Sequence, residues 1–426
     1  MTSQPSARFR FNRTWLFGGL AGAAALAAGV VGAAYLAPRL RPPLIVTVGL
    51  DAASVRAVSA LAAASAAAGG PKFRVAEVAD WSGLSAKRAP KPDLVIGPDG
   101  LAARSGDFKP LAADSARALP DSMRSAGRDG ERRYALPLQF DHFELLYSPN
   151  AFAAAKLAPP RDLAALAAAL DKLGAAGALA LPGGEDDALL EFVGAWVEAW
   201  GGLAAYRSLA EALAAPPAAT EGLRAGDGPA AALAAGSAAP LLDRDLGGLT
   251  LRRALDRLVE WRKLGRLHPA WFRMTANDFG SLLADGRIAV AALPLSLHRR
   301  QTAAVMERFE ALVFPAAKAD APRGLQSVAW VGAVPAKSVH AAAAEAFLYS
   351  LASPASQTAL AAASGLAPAA AVAETADRQA ADARLWLAAS QGPLVDLGRA
   401  SCLGAVGRAA LAQAFRDYFT VDGVGY

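Results

Sequence analysis

Cysteine is almost missing: Cys402 is the only one in 426 residues. That excludes an intramolecular disulfide and a cysteine-based metal cluster, and the lone thiol is read as a small buried hydrophobe and not as a nucleophile. Histidine is scarce as well. His142, His268, His298 and His340 stand far apart without metal-ligand spacing, so each is expected at the surface or in a local hydrogen bond. The chain has no phosphate loop and no glycine-flanked nucleophilic serine, and no carboxylate pair has a spacing that assigns an acid and a base. Gly226-x-Gly228-x-x-Ala231 imitates a dinucleotide fingerprint, but no strand precedes it and alanine-rich sequence yields such matches by chance. The chain is therefore not expected to be an enzyme, and no cofactor or metal is expected.

Charge is also sparse, at 19% of residues, but it is spread along the chain, which argues against long disordered tracts. The apolar fraction of 54% is inflated by alanine, a strong helix former that covers little area. The length suits two domains of ordinary size. The formal net charge of +5 resides in Arg8, Arg10, Arg13, Arg39 and Arg41, because residues 1–42 carry no Asp or Glu. The rest of the chain is neutral and has no electrostatic footprint for nucleic acid.

Trp15 to Leu36 is free of charge. At about 1.5 Å of rise per residue, this run spans roughly 33 Å, enough for a bilayer core. Three arginines precede it, and Trp15 and Tyr35 mark its ends, where aromatic rings favour the membrane interface. Two readings stand. Residues 1–14 are a cytoplasmic tail and 15–37 a membrane anchor, or the segment is a signal peptide cleaved after Ala34. Either one exports residues 43–426, as an extracytoplasmic domain held at the cell membrane or as a secreted or periplasmic one.

Past the spacer Pro38, Pro42 and Pro43, Leu44–Val48 reads as a buried strand and Asp51–Ala68 as a helix with Asp51 as its cap and Val55, Val58 and Leu61 on one face. Phe73–Val78 and Leu94–Ile96 read as further strands, the latter followed by the turn Gly97-Pro98-Asp99-Gly100. This alternation signals a parallel α/β sheet. Tyr134–Tyr147 reads as two strands in one run, broken near Gln139-Phe140-Asp141. Helices are expected over Asp162–Leu173, Asp187–Trp200, Tyr206–Leu213 and Leu249–Leu264. Strands follow at Arg287–Leu293, Ala311–Phe314 and Val328–Val334, then a long helix from Ala341 to Ala363 and an alanine-rich helical end. Trp196 and Trp200 read as core, and Ala210–Ala239 as solvent-side sequence of low complexity.

Four stretches together resemble a known family. Tyr134–Pro149 (YALPLQFDHFELLYSP), with Asn150-Ala151-Phe152 and Pro159-Pro160-Arg161-Asp162-Leu163, is similar to the hinge signature of family 1 extracellular solute-binding proteins, the maltose-binding-protein-like group. Here Ala135 replaces the usual glycine, Ser148-Pro149-Asn150 the Asn-Lys pair and Arg161 the tryptophan. Phe279–Leu297 (FGSLLADGRIAVAALPLSL) resembles a second element of that group, with Leu295 where a ligand-facing tryptophan usually stands. Gly324–Pro335 (GLQSVAWVGAVP) resembles a third, with Trp330 in the aromatic slot, and Phe347–Pro368 (FLYSLASPASQTALAAASGLAP) a fourth.

The resemblance covers about residues 44–370. It implies an α/β, two-lobed periplasmic-binding-protein-like fold behind the N-terminal helix, with residues 43–140 plus 314–363 as one lobe and 141–313 plus 364–426 as the other. Hinge positions fall at Gln139, Phe140 and Phe314. It also implies capture of a small solute, a saccharide first among candidates, by a monomer that delivers it to the permease subunits of an ABC importer.

Ligand residues in such folds come from loops at the carboxyl ends of strands. That rule and the resemblance together select Asp51, Asp99, Asp141 and Trp330, with Asp187 added from the helix start at Glu185-Asp186-Asp187. Carboxylates accept hydrogen bonds from hydroxyls, and an indole face stacks on a sugar. Plainer roles stand beside these: Asp51 as an N-cap, Asp99 as a turn residue and Trp330 as core. Asp141 lies in an apolar run, where an unpaired carboxylate is costly. The competing function is a membrane-tethered sensor or interaction protein on the same fold without transport, favoured by an uncleaved helix and by Leu295.

Overall fold

The structure, a computed structural model, describes residues 41–421 apart from 80–83, 85–90, 100–105, several positions in 113–125, 175–177, 215–238, 371–377 and several positions in 392–404. The expected tail and anchor at 1–14 and 15–37, the Gly226–Ala231 match, most of Ala210–Ala239 and Cys402 lie outside the described residues.

β1 (Leu44–Val48) is buried at every position, as a strand covered on both faces must be. α1 (Ala52–Ala67) follows and leads to β2 (Arg74–Val78), which pairs parallel to β1. The buried positions of α1 are Ser54, Val58 and Ala62, one helical face at four-residue spacing; Val55, expected on that face, lies beside it. β3 (Leu94–Pro98) pairs parallel to the other edge of β1. It takes in Gly97 and Pro98, which were expected in the turn.

A short hairpin, β4 (Arg128–Asp129) and β5 (Arg132–Arg133), leads into β6, Ala135–Tyr147. The break expected near Gln139-Phe140-Asp141 does not occur. A register shift between Pro137 and Gln139 absorbs the irregularity as a bulge, and pairing resumes at Gln139, so one strand of thirteen buried residues continues.

Helices then accumulate: α2 (Pro149–Ala154), α3 (Leu163–Leu173) and α4 (Asp186–Ala214). Ser148 caps α2, with proline at its first position, and Asp162 caps α3. Gly202, at φ 74°, breaks the helical path of α4 near the interval expected between two helices. α5 (Ala239–Leu242), α6 (Leu251–Lys263) and α7 (Ala276–Ala284) follow, the last opened by a Thr275–Asp278 capping box. β7 (Val290–Pro294), α8 (Leu295–Arg299), α9 (Ala303–Met306) and β8 (Glu310–Val313) complete this region.

The chain returns through β9 (Leu325–Ala333), α10 (Ala341–Leu351), α11 (Pro354–Ser364), β10 (Ala367–Pro368), α12 (Arg378–Ala389), β11 (Pro393–Leu394) and α13 (Ala405–Val421). The single helix expected from Ala341 to Ala363 is two. Pro354 cannot continue a helix but starts one well, and the Ser353 hydroxyl accepts from the Ser356 N–H.

β6 joins the whole. From Ala135 to His142 it pairs antiparallel with β9, which in turn pairs with β3; from Phe143 to Tyr147 it lies between β7 and β8. Its side chains feed different cores accordingly. Leu136, Leu138 and Phe140 pack with Ile45, Leu94, Val331 and Phe347. Phe143, Leu145 and Tyr147 pack with Phe192, Trp196, Trp271 and Phe314. A smaller cluster around Phe279 and Leu293 takes Leu146. Trp196 is fully buried and donates its indole N–H to the Ala254 carbonyl at 2.8 Å, while Trp200 is partly buried beneath Arg257.

Ala380, Ala383 and Leu387 of α12 belong to the first core, and Leu397 and Phe415 to the second. Ala367 and Ala369 join the first core too, so these described residues, expected with the second half, pack with the first. Among the described residues, Asp186–Leu213 is the one helix long and apolar enough to cross a bilayer, and it is largely buried inside the second core.

Candidate functional site

A cleft of about 620 Å³ opens where the shared strand passes from one set of partners to the other. Its walls come chiefly from three places, with Ala276 and Arg408 beside them. The loop after β1 and the start of α1 supply Gly49, Asp51 and Ser54. The start of α4 supplies Glu185, Asp186, Asp187 and Glu191. The crossing region supplies Asp141, Ser296, Arg300, Trp330 and Ser364.

Asp51 caps α1, its Oδ1 accepting from the Ser54 N–H at 2.7 Å, and its Oδ2 accepts from Arg300. The expected cap is present, and the same residue also lines the cleft. Burial alone would raise its carboxyl, but the Ser54 hydrogen bonds and the Arg300 guanidinium hold it below the ordinary range. Asp141 is buried. Its Oδ1 accepts from the backbone N–H of His142 at 2.9 Å and of Ser296 at 3.0 Å, and its Oδ2 accepts from the Ser296 hydroxyl. Burial nonetheless pushes its carboxyl up, against the pull of the Ser296 and His142 contacts.

The opposite wall rests on a close backbone approach. Gly183 and Gly184 donate to the carbonyls of Trp271 and Met274 at 3.0 and 2.8 Å. A Cβ on either glycine would lie 2.5 or 2.7 Å from those same oxygens, so no other residue fits without movement. The carboxylates that follow are held by residues of later elements. Arg416 of α13 donates to the carbonyls of Gly183 and Gly184 and, at 2.7 Å, to Asp186. Arg408 pairs with Asp187 at 3.2 Å, and Glu185 accepts from the Ala276 N–H at 3.0 Å.

The structure brings Asp51, Asp141, Asp187 and Trp330 to the cleft. Trp330 sits half-buried in β9, in register with Gln139 and Pro98. Asp99 is not among the lining residues. Its carboxylate accepts from the Gly127 N–H at 3.0 Å, and its own N–H donates to the Ala329 carbonyl. Leu295, in the slot of the usual tryptophan, is turned into the first core. Gln139 is buried and accepts from the Ser364 hydroxyl at 3.2 Å; Phe140 and Phe314 lie in the first and second cores.

His142 and His298 depart from the expectation for histidines. Both are buried on either side of Glu144, whose carboxylate lies 2.6 Å from His298 Nδ1 and 3.6 Å from His142 Nε2. Ser296, Arg300, Ser364, Arg408 and Arg416 were not selected from sequence. A usable signal existed for the last two: two arginines eight residues apart on the final helix, facing a Gly-Gly-acid-acid-acid run.

Known proteins place these features. The sequence model for bacterial extracellular solute-binding proteins matches residues 60–386. No curated protein matches the chain. Among solved structures, the bacterial solute receptor AcbH, described as exclusive for β-D-galactopyranose, aligns over 89% of this chain and 99% of its own at 14% identity and a TM-score of 0.62. The Thermus thermophilus maltotriose-binding protein aligns over 89% and 100% at 18% identity and 0.56. A putative binding protein, MsmE, from Bacillus subtilis, in an open conformation, aligns over 89% and 95% at 16% identity and 0.63. At these identities the likeness establishes the fold, a mixed α/β architecture shared with periplasmic sugar-binding proteins.

Proposed function

Because the chain belongs to the bacterial extracellular solute-binding proteins, we propose that it captures a small saccharide in the cleft between two lobes and presents it to the permease of an ABC importer. One lobe is residues 43–140 with 325–389, the other 143–314 with 397–421. Hinge positions are Gln139, Phe140 and Phe314, and the N-terminal segment at 15–37 exports the binding domain. The observation that carries this reading is the convergence of Asp51, Asp141, Asp187 and Trp330, far apart in sequence, on one cleft beside the strand common to both lobes. The ligands of two structural neighbours, a galactopyranose and maltotriose, agree with carboxylates and one indole as recognition groups.

Such a site acts without chemistry. Carboxylate oxygens accept from sugar hydroxyls, an indole face covers the apolar face of the ring, and closure excludes water so that each polar contact strengthens. Closure follows only from the solute's higher affinity for the closed arrangement. The test is a thermal-shift screen of mono- to trisaccharides on the full-length chain. A true solute at a hundred times its dissociation constant adds about 2.7 kcal/mol to stability. A chain whose melting no saccharide raises does not have this function.

A further inference from the structure

The cleft presents a charge problem. Among the described residues, six carboxylates line it, those of Asp51, Asp141, Glu185, Asp186, Asp187 and Glu191, against two cations, Arg300 and Arg408. A field of that sign draws cations, so an amine would compete with any neutral sugar. The arginines divide into two kinds. Arg408 and Arg416 reach Asp187 and Asp186 from α13, with 21% and 15% of their side-chain surface exposed. Arg300 reaches Asp51 from the segment after α8, with 47% exposed, and is moored by a 2.8 Å bond to the Ser364 carbonyl.

Resting on the function proposed above, we infer that Arg300 is a specificity-determining residue, which reserves Asp51 for hydroxyl-bearing neutral solutes and turns amines away. Asp51 Oδ1 is engaged by the Ser54 N–H, which leaves Oδ2, where Arg300 donates, to meet a solute. A carboxylate that only accepts, beside a guanidinium that only donates, is complementary to a hydroxyl, which does both. A protonated amine only donates. It satisfies Asp51 but sets a second positive charge against Arg300, a penalty that a hydroxyl at the same place escapes.

The test compares matched solutes differing by one group, glucose with glucosamine and galactose with galactosamine, by titration calorimetry on the full-length chain. Arg300→Gln raises the ratio of amine to neutral affinity by about fivefold, the size expected for removing an exposed charge contact. Arg300→Lys, which keeps the charge, keeps the wild-type ratio. Taking the ratio within each variant cancels any general loss from the missing Ser364 bond. An unchanged ratio in Arg300→Gln, or a lysine variant that behaves like the glutamine one, overturns the inference while leaving saccharide capture standing. A wild type that takes no saccharide overturns both.

Discussion

Ser296 donates to Asp141 twice, through its backbone N–H at 3.0 Å and through its hydroxyl, and so ties the start of α8 to the strand shared by both halves. The pair gives the buried carboxylate enough partners to remain in the cleft, although burial still pushes its carboxyl up. Replacing it by alanine removes both the burial cost and the acceptor. Asp141→Ala is expected to leave the fold intact, as read by circular dichroism, and to weaken saccharide binding by about 1.5–3 kcal/mol, the range for a hydrogen bond to a charged group. Unchanged affinity in a calorimetric titration would remove Asp141 from the site.

Gly365 also lies against the start of α8. Its φ of +77° is a left-handed conformation, and a Cβ there would stand 2.9 Å from the Ser296 carbonyl oxygen. Gly365→Ala therefore strains its own backbone and pushes on the residue that holds Asp141. The expected result is a loss of about 1–3 kcal/mol of stability together with weaker solute binding. A normal urea midpoint in this variant would show that the loop yields freely.

Away from the cleft, Glu198 is buried in α4, where it accepts from the Gly324 N–H at 2.8 Å and lies 3.2 Å from Arg323 Nε. Burial pushes its carboxyl up to about 6, against the pull of Arg323 and Gly324. The folded chain thus holds this proton more tightly than the unfolded one. The resulting stability is fully present below about 4.5 and is lost as pH rises through about 6. The loss amounts to about 2 kcal/mol. Urea unfolding at pH 4.5 and pH 7 should show this decline in the wild type and a correspondingly smaller one in Glu198→Gln. Equal declines would place its origin elsewhere.

The legibility of these features in sequence follows from how local their causes are. β1 and α1 were readable because apolar continuity and the cap at Asp51 lie within a few residues of one another. The break assigned near Gln139 was wrong because a bulge at Pro137 costs a strand one irregular step and not its pairing, which β9 supplies from almost two hundred residues away. The long helix after Ala341 was misjudged for the opposite reason: Pro354 was visible, and its effect is local. In the cleft, carboxylates near strand and helix ends were found. Ser296 and Arg300 were not, since nothing near them in sequence records that Asp141 and Asp51 lie opposite. Asp99 satisfied the same strand-end rule, yet it does not line the cleft, and its carboxylate accepts from the Gly127 N–H.

Arg416 offers the sharpest separation between supporting the fold and supporting the site. From the chain's last helix it donates to the Gly183 and Gly184 carbonyls and to Asp186, so one guanidinium fixes the loop from which the second wall of the cleft begins. Arg416→Ala leaves two carbonyls and a carboxylate without that donor and is expected to cost about 1–3 kcal/mol of stability. Arg416→Lys restores one charge contact with Asp186 but cannot span the carbonyls as the planar fork does, so it should recover only part of the loss. If the loop positions Asp187 for the solute, saccharide affinity measured well below the melting temperature falls in the order wild type, lysine, alanine. A lowered melting temperature with equal affinity in all three would mean that Arg416 serves the fold alone and that the wall it braces does not touch the solute.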